Sequence, residues 1–428
     1  MARRIVIVGA GHAGTSAARA LREHGWSDEI VLLTEERSAP YERPPLSKSV
    51  LTQEESFSGV AALAPGWLDQ NGILFRSGVR AEAIDRDAQS VTLAGGDRFR
   101  YDYLLLATGA KPRFPQLPGV GSKGVIALRS LDQSAVLRER LMPARRLVVI
   151  GGGLIGLEVA ASARARGVDT TVLEKAPALL SRVMPISTSD RILELHRSNG
   201  TKVFLGADVE AIIGCDMVEG VRLRSGQEFV ADTVLVAVGA DPDVELAQKA
   251  GLATDDGILV NEYLQTADSR IFAAGDAARY PASTGKDTIR LEAWKNALDQ
   301  GGTAALNILG RKVSYRAVPW MWSDQFDKVF QVAGIPNKSQ VEVNRSLDDG
   351  GIVTFLLDRF GVLEATAAFG SLSQVAKIVR VATSIIERRL RPSPSVLQDP
   401  SYDLRKLLQS DAVNAHSTHE AALSAVRR

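Results

Sequence analysis

The 428-residue chain contains one cysteine, Cys215. A single cysteine cannot close a disulfide within the chain, so a relay of electrons through a cysteine pair is excluded. Cys215 lies in the apolar stretch around Ile212 and Ile213, where a passive thiol is the default expectation. Excess charge is lacking too: 51 Lys and Arg stand against 50 Asp and Glu, for a formal net charge of +1. That balance argues against a general binder of nucleic acid or of an anionic membrane. No apolar run approaches the roughly 20 residues of a transmembrane helix. Met1-Ala-Arg-Arg runs straight into a strand pattern, so neither a membrane span nor a signal peptide is expected, and the expected location is cytoplasmic. With 45% hydrophobic residues and 37 glycines, the chain can bury substantial cores and should divide into two or three domains.

What is present is glycine at informative spacing. Gly9-Ala-Gly11-His-Ala-Gly14 and Gly151-Gly-Gly153-Leu-Ile-Gly156 each follow an apolar strand and open a helix, so one chain builds two dinucleotide sites. In the first, Ile5 to Val8 reads as a buried parallel strand and the alanine-rich run from Thr15 to Arg22 as a helix. Gly9 permits the tight turn, Gly11 lets the backbone approach a pyrophosphate, and Gly14 lets helix and strand pack closely. The phosphate charge then meets free N–H groups at the helix N-terminus. A second strand, Ile30 to Leu33, leads to Glu35 and Glu36 about 20 residues after the last glycine, where a carboxylate can take a ribose hydroxyl. The second module repeats this plan from Leu147 to Ile150, through Gly151, Gly153 and Gly156, to a strand ending at Glu174. A carboxylate at Glu174 repels a 2′-phosphate and favours NAD over NADP, an argument that the adjacent Lys175 weakens. Two cofactors held together imply electron transfer between them.

A longer repeat accompanies the fingerprints. Tyr103 to Leu106 forms a strand closing on Ala107-Thr108-Gly109, and Val234 to Val238 repeats it, each about 85 residues after its fingerprint's last glycine. One nucleotide-binding unit is thus inserted in another, with Pro118-Gly119 and Asp241-Pro242 as plausible crossovers. Asp276, after the strand Ile271-Phe272-Ala273, reads on its own as a helix cap.

Together with the two fingerprints, Tyr41-Glu-Arg-Pro-Pro-Leu-Ser-Lys48, Ala107-Thr-Gly109, Glu158, Ala274-Gly275-Asp276, Glu292-Ala-Trp294-Lys-Asn296-Ala and Pro319-Trp-Met-Trp-Ser-Asp-Gln325 resemble the FAD-dependent ferredoxin reductases of the putidaredoxin reductase and aromatic-ring dioxygenase type. The resemblance runs from about residue 3 to about residue 409. It implies an α/β fold like that of glutathione reductase, with two Rossmann-like dinucleotide-binding domains and an α+β C-terminal domain. The domains implied are FAD-binding over 1–109 and 241–319, NAD-binding over 110–240, and C-terminal over 320–409. The tail 410–428, with His416 and His419, reads as a solvated, disordered or contact segment rather than a metal site.

The resemblance also implies roles. FAD lies on the first fingerprint, with Glu36 or Glu35 on its ribose, Asp276 on the ribityl chain and Thr108 in the cofactor site. Thr34 stands where many relatives have glycine, which blurs the choice between the two glutamates. Arg43 faces the FAD phosphates, where a planar fork suits bidentate contact. Lys48 stands near the reactive edge of the flavin and Glu158 near the nicotinamide; on residues alone, Glu158 is a first-turn glutamate favoured by the helix dipole. Trp294 covers the pyrimidine end of the flavin, and Trp320 or Trp322 packs near the ring, although core packing is the ordinary use of tryptophan.

The activity implied is an NADH-dependent ferredoxin reductase. A hydride passes from NADH to FAD, and single electrons go to a [2Fe-2S] ferredoxin serving an oxygenase; the protein supplies proximity and electrostatics. Arg290, Lys295, Arg311, Lys312 and Lys328 form a candidate basic rim for an acidic ferredoxin. Rubredoxin and monodehydroascorbate-type reductases share the scaffold, and an NADH-responsive redox-sensing flavoprotein is an alternative of another class. Cycling of Cys215 through a sulfenic acid would need that thiol beside the flavin, which its place after the second fingerprint disfavours.

Overall fold

The computed structural model describes residues 3–282, 287–337 and 340–409. The 410–428 tail, with His416 and His419, lies outside the described residues. Two compact units are present: Met1–Val172 with Asp208–Ala317, and Leu173–Ala207 with Val318–Arg428.

In the first unit the strand Arg4–Val8 is flanked by parallel strands on both sides. Glu29–Leu33 pairs on one edge, with Ile73–Arg76 beyond it, and Tyr103–Leu106 pairs on the other, with Ile271–Ala273 outermost. These strands read as continuous apolar runs because both of their faces are covered; Ile5, Ile7, Leu32 and Leu105 are fully buried. The helix His12–Glu23 follows the first strand, and Ala13, Ala17, Ala18 and Leu21 form its buried face. That face packs on the helix Trp294–Ile308, whose buried residues include Ala297, Gly301, Ala304 and Ala305. Small residues bring the two backbones close. A Cβ on Gly301 would stand 2.2 Å from the Ala13 carbonyl oxygen, and Ser16 Oγ donates to the Leu298 carbonyl at 2.7 Å.

The same unit holds a second copy of the plan. Arg146–Ile150 pairs in parallel with Thr233–Val236, which pairs in parallel with Val125–Ile126. The helix Leu154–Ala165 follows the first of these strands. Where the chain passes between the two copies, Ala110–Pro112 and Ala240–Pro242 run antiparallel as a two-stranded ribbon. Asp241-Pro242 lies in this ribbon, and Gly119 packs closely, its position for a Cβ lying 2.1 Å from the Ile212 carbonyl oxygen. Strand Asp169–Glu174 carries the chain on into the second unit.

The second unit is built on an antiparallel sheet in the order Trp320–Gln325, Lys328–Gly334, Leu363–Gly370, Ile352–Leu357, Val341–Ser346. The helix Leu372–Glu387 covers it through Val375, Val379, Ala382 and Ile385 against Phe355, Leu363 and Ala368. No helix among the described residues is long and apolar enough to cross a membrane.

Ile212 is buried, but Cys215 is exposed. The chain turns at Gly214, with φ of +132°, between the antiparallel strands Val209–Ile213 and Gly220–Leu223, so the apolar stretch ends before the thiol.

Candidate functional site

Each fingerprint uses its glycines in two ways. A Cβ on Gly9 would lie 2.0 Å from the Ala107 carbonyl oxygen, and one on Gly14 would lie 1.9 Å from that of Gly9. In the second copy, Gly151 meets Ala237 at 2.4 Å and Gly156 meets Gly151 at 2.3 Å. Those four close the strand–turn–helix corner. The middle glycines differ: beside Gly11 the nearest atoms are the Arg43 guanidinium at 3.8 Å, and beside Gly153 only the Ala237 carbonyl oxygen at 3.9 Å. Protein packing does not require glycine at either place, and open space against the backbone is what a pyrophosphate needs. Both helices start there without a side-chain cap and without an acidic residue in the first turn, leaving N–H groups for an anion. The residues present fit two dinucleotides.

Around the first cradle the structure brings together Glu36, Tyr41 and Arg43. Arg43 Nη2 lies 2.6 Å from Glu36 Oε1, its Nη1 donates to the Arg129 carbonyl at 2.6 Å, and Tyr41 donates its hydroxyl to Glu36. Burial pushes the Tyr41 phenol well above its ordinary pKa, and the nearby Arg43 charge only partly opposes this. The phenol therefore stays a donor. Glu35, in contrast, is exposed and stands 4.0 Å from Arg80. Of the two glutamates, Glu36 is the one that faces the Arg43 cluster.

Asp276 lies in the short turn Gly275–Ala277, and its carboxylate accepts from Arg129 Nη2 at 2.6 Å. It is not a helix cap. Burial lowers the Arg129 guanidinium pKa, but the Asp276 charge outweighs it and the net direction is upward. Arg129 escaped the sequence reading. A signal existed in Ser130-x-x-Gln133, a capping box that starts the helix Leu131–Arg140 and in which Gln133 Oε1 also accepts from the Arg129 amide at 2.7 Å. Thr108 Oγ1 donates to the Asp243 carbonyl at 2.6 Å, tying the end of its strand to the crossover ribbon.

Tyr41-Glu-Arg-Pro-Pro-Leu-Ser-Lys48 is not a solvated loop. Pro44–Ser47 forms a tight turn, with Leu46 and Ser47 buried. Ser47 Oγ donates to Glu158 Oε2, and Lys48 Nζ lies 3.4 Å from Glu158 Oε1. Glu158 is 6% exposed and the fifth residue of its helix, so the reading of it as a first-turn glutamate favoured by the dipole gives way to a buried, paired carboxylate. Ser162 Oγ donates to the Ser47 carbonyl at 2.7 Å, completing the link between the turn and the second fingerprint helix. Ser47 and Ser162 were missed because serine has many uses in a sequence and only the fold brings these two together.

Trp294 is the first residue of its helix and half-buried, and its indole Nε1 donates to Glu42 Oε2 at 2.7 Å. In the second unit Glu174 Oε1 accepts from the Ala176 amide at 2.6 Å, which fixes the turn after the strand. Trp320 and Trp322, two apart on an edge strand and therefore on one face, stack at 5.2 Å between centroids with planes 19° apart. Of the candidate basic rim, three members are matched by acids. Arg290 pairs with Glu292 at 2.6 Å and Asp256 at 3.2 Å, Lys295 with Asp299 at 2.7 Å, and Lys328 with Asp327 at 3.0 Å. Except for Asp256, each of these acids lies within a few residues of its cation along the chain. Arg311 and Lys312 are exposed.

Two glycine-opened modules joined by a buried Lys–Glu pair define an oxidoreductase that uses FAD and NAD(H). Residues 3–301 match the family model described as pyridine nucleotide-disulphide oxidoreductase, and residues 320–408 match the reductase C-terminal model. The chain belongs to the pyridine nucleotide-disulphide oxidoreductase family. It is 39% identical to rhodocoxin reductase of Rhodococcus erythropolis over 81% of this chain and 82% of that protein. It is 36% identical to the ferredoxin–NAD(+) reductase component of the anthranilate 1,2-dioxygenase system of Burkholderia cepacia, over 94% and 98% of the two chains. Among solved structures, the ferredoxin reductase for the CYP199A2 system of Rhodopseudomonas palustris superposes with a TM-score of 0.90 at 34% identity, covering 94% of this chain and 99% of that one. The disulphide chemistry in the family's name has no cysteine pair here to perform it.

Proposed function

We propose that the chain is an NADH-dependent ferredoxin reductase that feeds electrons to a [2Fe-2S] ferredoxin serving an oxygenase in the cytoplasm. The observation that carries this reading is the Lys48–Glu158 pair: a cation from the first module and a carboxylate from the second fingerprint helix meet in a buried place, with no cysteine relay in the chain. The relatives named as ferredoxin reductase components of oxygenase systems support the choice of acceptor.

Bound FAD supplies hydride acceptance from NADH and one-electron release to an iron–sulfur centre. The chain's residues bind and orient. Gly9, Gly11 and Gly14 would cradle FAD, with Glu36 toward its ribose, Arg43 toward its phosphates, and Asp276, Thr108 and Trp294 along its length. Gly151, Gly153, Gly156 and Glu174 would hold NADH. Lys48 places a positive charge where the flavin gains negative charge, an electrostatic contribution fixed before reaction. Glu158, with Ser47 donating to it, sets the position of the Lys48 ammonium. The domain division that goes with this is FAD-binding over 1–109 and 241–319, NAD-binding over 110–240 and a C-terminal domain over 320–409. Pairing of Ala110–Pro112 with Ala240–Pro242 supports boundaries at those two crossings.

The test is steady-state NADH turnover with a panel of [2Fe-2S] ferredoxins and rubredoxins. Rapid NADH-dependent reduction of ferredoxins, well above that of rubredoxins and of monodehydroascorbate, is expected. A reduced protein that none of them reoxidises would replace this reading with that of a redox sensor.

A further inference from the structure

The helices His12–Glu23 and Trp294–Ile308 lie against each other, and the first residue of each reaches the same carboxylate. His12 Nε2 lies 2.8 Å from Glu42 Oε2, and Trp294 Nε1 donates to that same oxygen at 2.7 Å. An ionised carboxylate only accepts, so His12 Nε2 carries the proton in this contact. The His12 and Trp294 rings meet edge to face, 6.2 Å between centroids and 72° between planes. Burial raises the Glu42 carboxyl, but the hydrogen bonds from His12 and Trp294 outweigh it and hold it below the usual glutamate pKa. The anion is thus the form that this contact favours. Glu42 also precedes Arg43, whose guanidinium borders Gly11.

His12 follows Gly11 at the start of the phosphate-facing helix, and Trp294 is the residue placed at the pyrimidine end of the flavin. We propose that Glu42 is a positioning residue for FAD: by holding His12 and the Trp294 indole on one oxygen, it fixes the phosphate end and the ring end of the cofactor site relative to each other. This rests on the reading that FAD occupies the first fingerprint. Glu42 does not touch the reacting atoms; it acts through Trp294. Without the carboxylate, the His12 and Trp294 N–H donors lose this acceptor, and with it the contact that sets the two rings relative to each other.

The experiment is a double-mutant cycle on the purified holoenzyme, with FAD dissociation followed by flavin fluorescence and the flavin midpoint potential by dye equilibration. Glu42→Leu is expected to weaken FAD binding about tenfold or more, the consequence of orphaned donors. Glu42→Gln keeps an acceptor and is expected to stay within a few fold of the natural protein. In a Trp294→Phe background the loss from Glu42→Leu should shrink to about threefold or less, because coupled residues are not additive. The shift in potential caused by Glu42→Leu should shrink in the same background. An equal loss in both backgrounds, or no loss from Glu42→Leu in the natural background, overturns the proposal. If Glu42→Leu does not fold, the same comparison with Glu42→Gln and Glu42→Asp decides it: a Glu42→Asp loss that persists in full without Trp294 overturns it equally. Gly11→Val serves as the separate control. Full FAD retention by Gly11→Val would refute the location of FAD itself, whereas its loss leaves the Glu42 cycle as a test of positioning alone.

Discussion

Lys48 Nζ stands 3.4 Å from Glu158 Oε1, with only 18% and 7% of the two side chains exposed, although the residues belong to different glycine-opened modules. Sequence distance gives no hint of this contact. The fold makes it by bringing the turn at Pro44–Ser47 against the helix Leu154–Ala165.

Lys48→Met should therefore slow reduction of the bound flavin by NADH in stopped-flow measurements by about tenfold or more, or roughly 1.4 kcal/mol of barrier. FAD should remain bound. An unchanged rate would leave Lys48 with a structural role only.

The second fingerprint separates folding from binding. Gly151→Ala puts a Cβ 2.4 Å from the Ala237 carbonyl oxygen at a φ of +108°, so it should lower the denaturation midpoint. Gly153→Val meets nothing of the protein nearer than 3.9 Å at Cβ, so it should fold normally while NADH binding weakens at least about tenfold. Tight NADH binding by Gly153→Val would remove the nucleotide from this cradle.

Glu174 leads to a preference for NADH over NADPH of at least about tenfold in kcat/KM, as a carboxylate opposes a 2′-phosphate. Glu174→Gln should narrow that ratio. It should also retain the turn, since an amide oxygen can still accept from the Ala176 amide. Equal efficiency of the two coenzymes with the natural protein would contradict the assignment.

Docking of an acidic ferredoxin should depend on salt, because exposed charges are screened beyond about 8 Å at physiological ionic strength. Turnover with ferredoxin should fall as salt rises, and ferricyanide reduction should change less. Since Arg290, Lys295 and Lys328 are paired with acids, Arg311→Glu is expected to raise the apparent KM for ferredoxin more than Lys295→Glu does. Indifference to salt and to both reversals would point to an apolar docking site.

His196 in the second unit gives a pH signature. It is fully buried with Nε2 2.8 Å from Gln325 Oε1, and burial lowers its pKa, partly opposed by that hydrogen bond. The unfolded chain takes up a proton near pH 6.5, above the folded value. Over the interval below about pH 6.5 the unfolded state binds more protons, so stability should decline as pH falls from about 7 to 5. His196→Gln should flatten this decline in urea midpoints measured across that range. A decline unchanged by the substitution would assign it to other groups.

The parallel modules were legible because their signals are local: an apolar run, three glycines and an apolar run again lie within a few turns of chain. Glu36, Arg43, Asp276 and Trp294 were legible as residues but not as contacts. Their partners, Tyr41, Arg129 and Glu42, are set by the packed structure, which also puts Glu35 at the surface and Glu36 in the Arg43 cluster. Ser47 was invisible for the same reason. The pairing of the basic rim was not legible, since counting cations ignores Asp299 one helical turn from Lys295 and Asp327 beside Lys328. The exposure of Cys215 was not legible, because one glycine with positive φ ends the apolar stretch just before it.

The backbone contact of Gly301 with Ala13 bears on how far the first fingerprint helix can move. Long side chains between two helices could tilt and repack as charge changes nearby, whereas two main chains in contact have almost no freedom to do so. The small residues along this helix pair therefore lock the first turn of the fingerprint helix to its neighbour by main-chain contact, so any side chain longer than hydrogen at residue 301 must push the two helices apart.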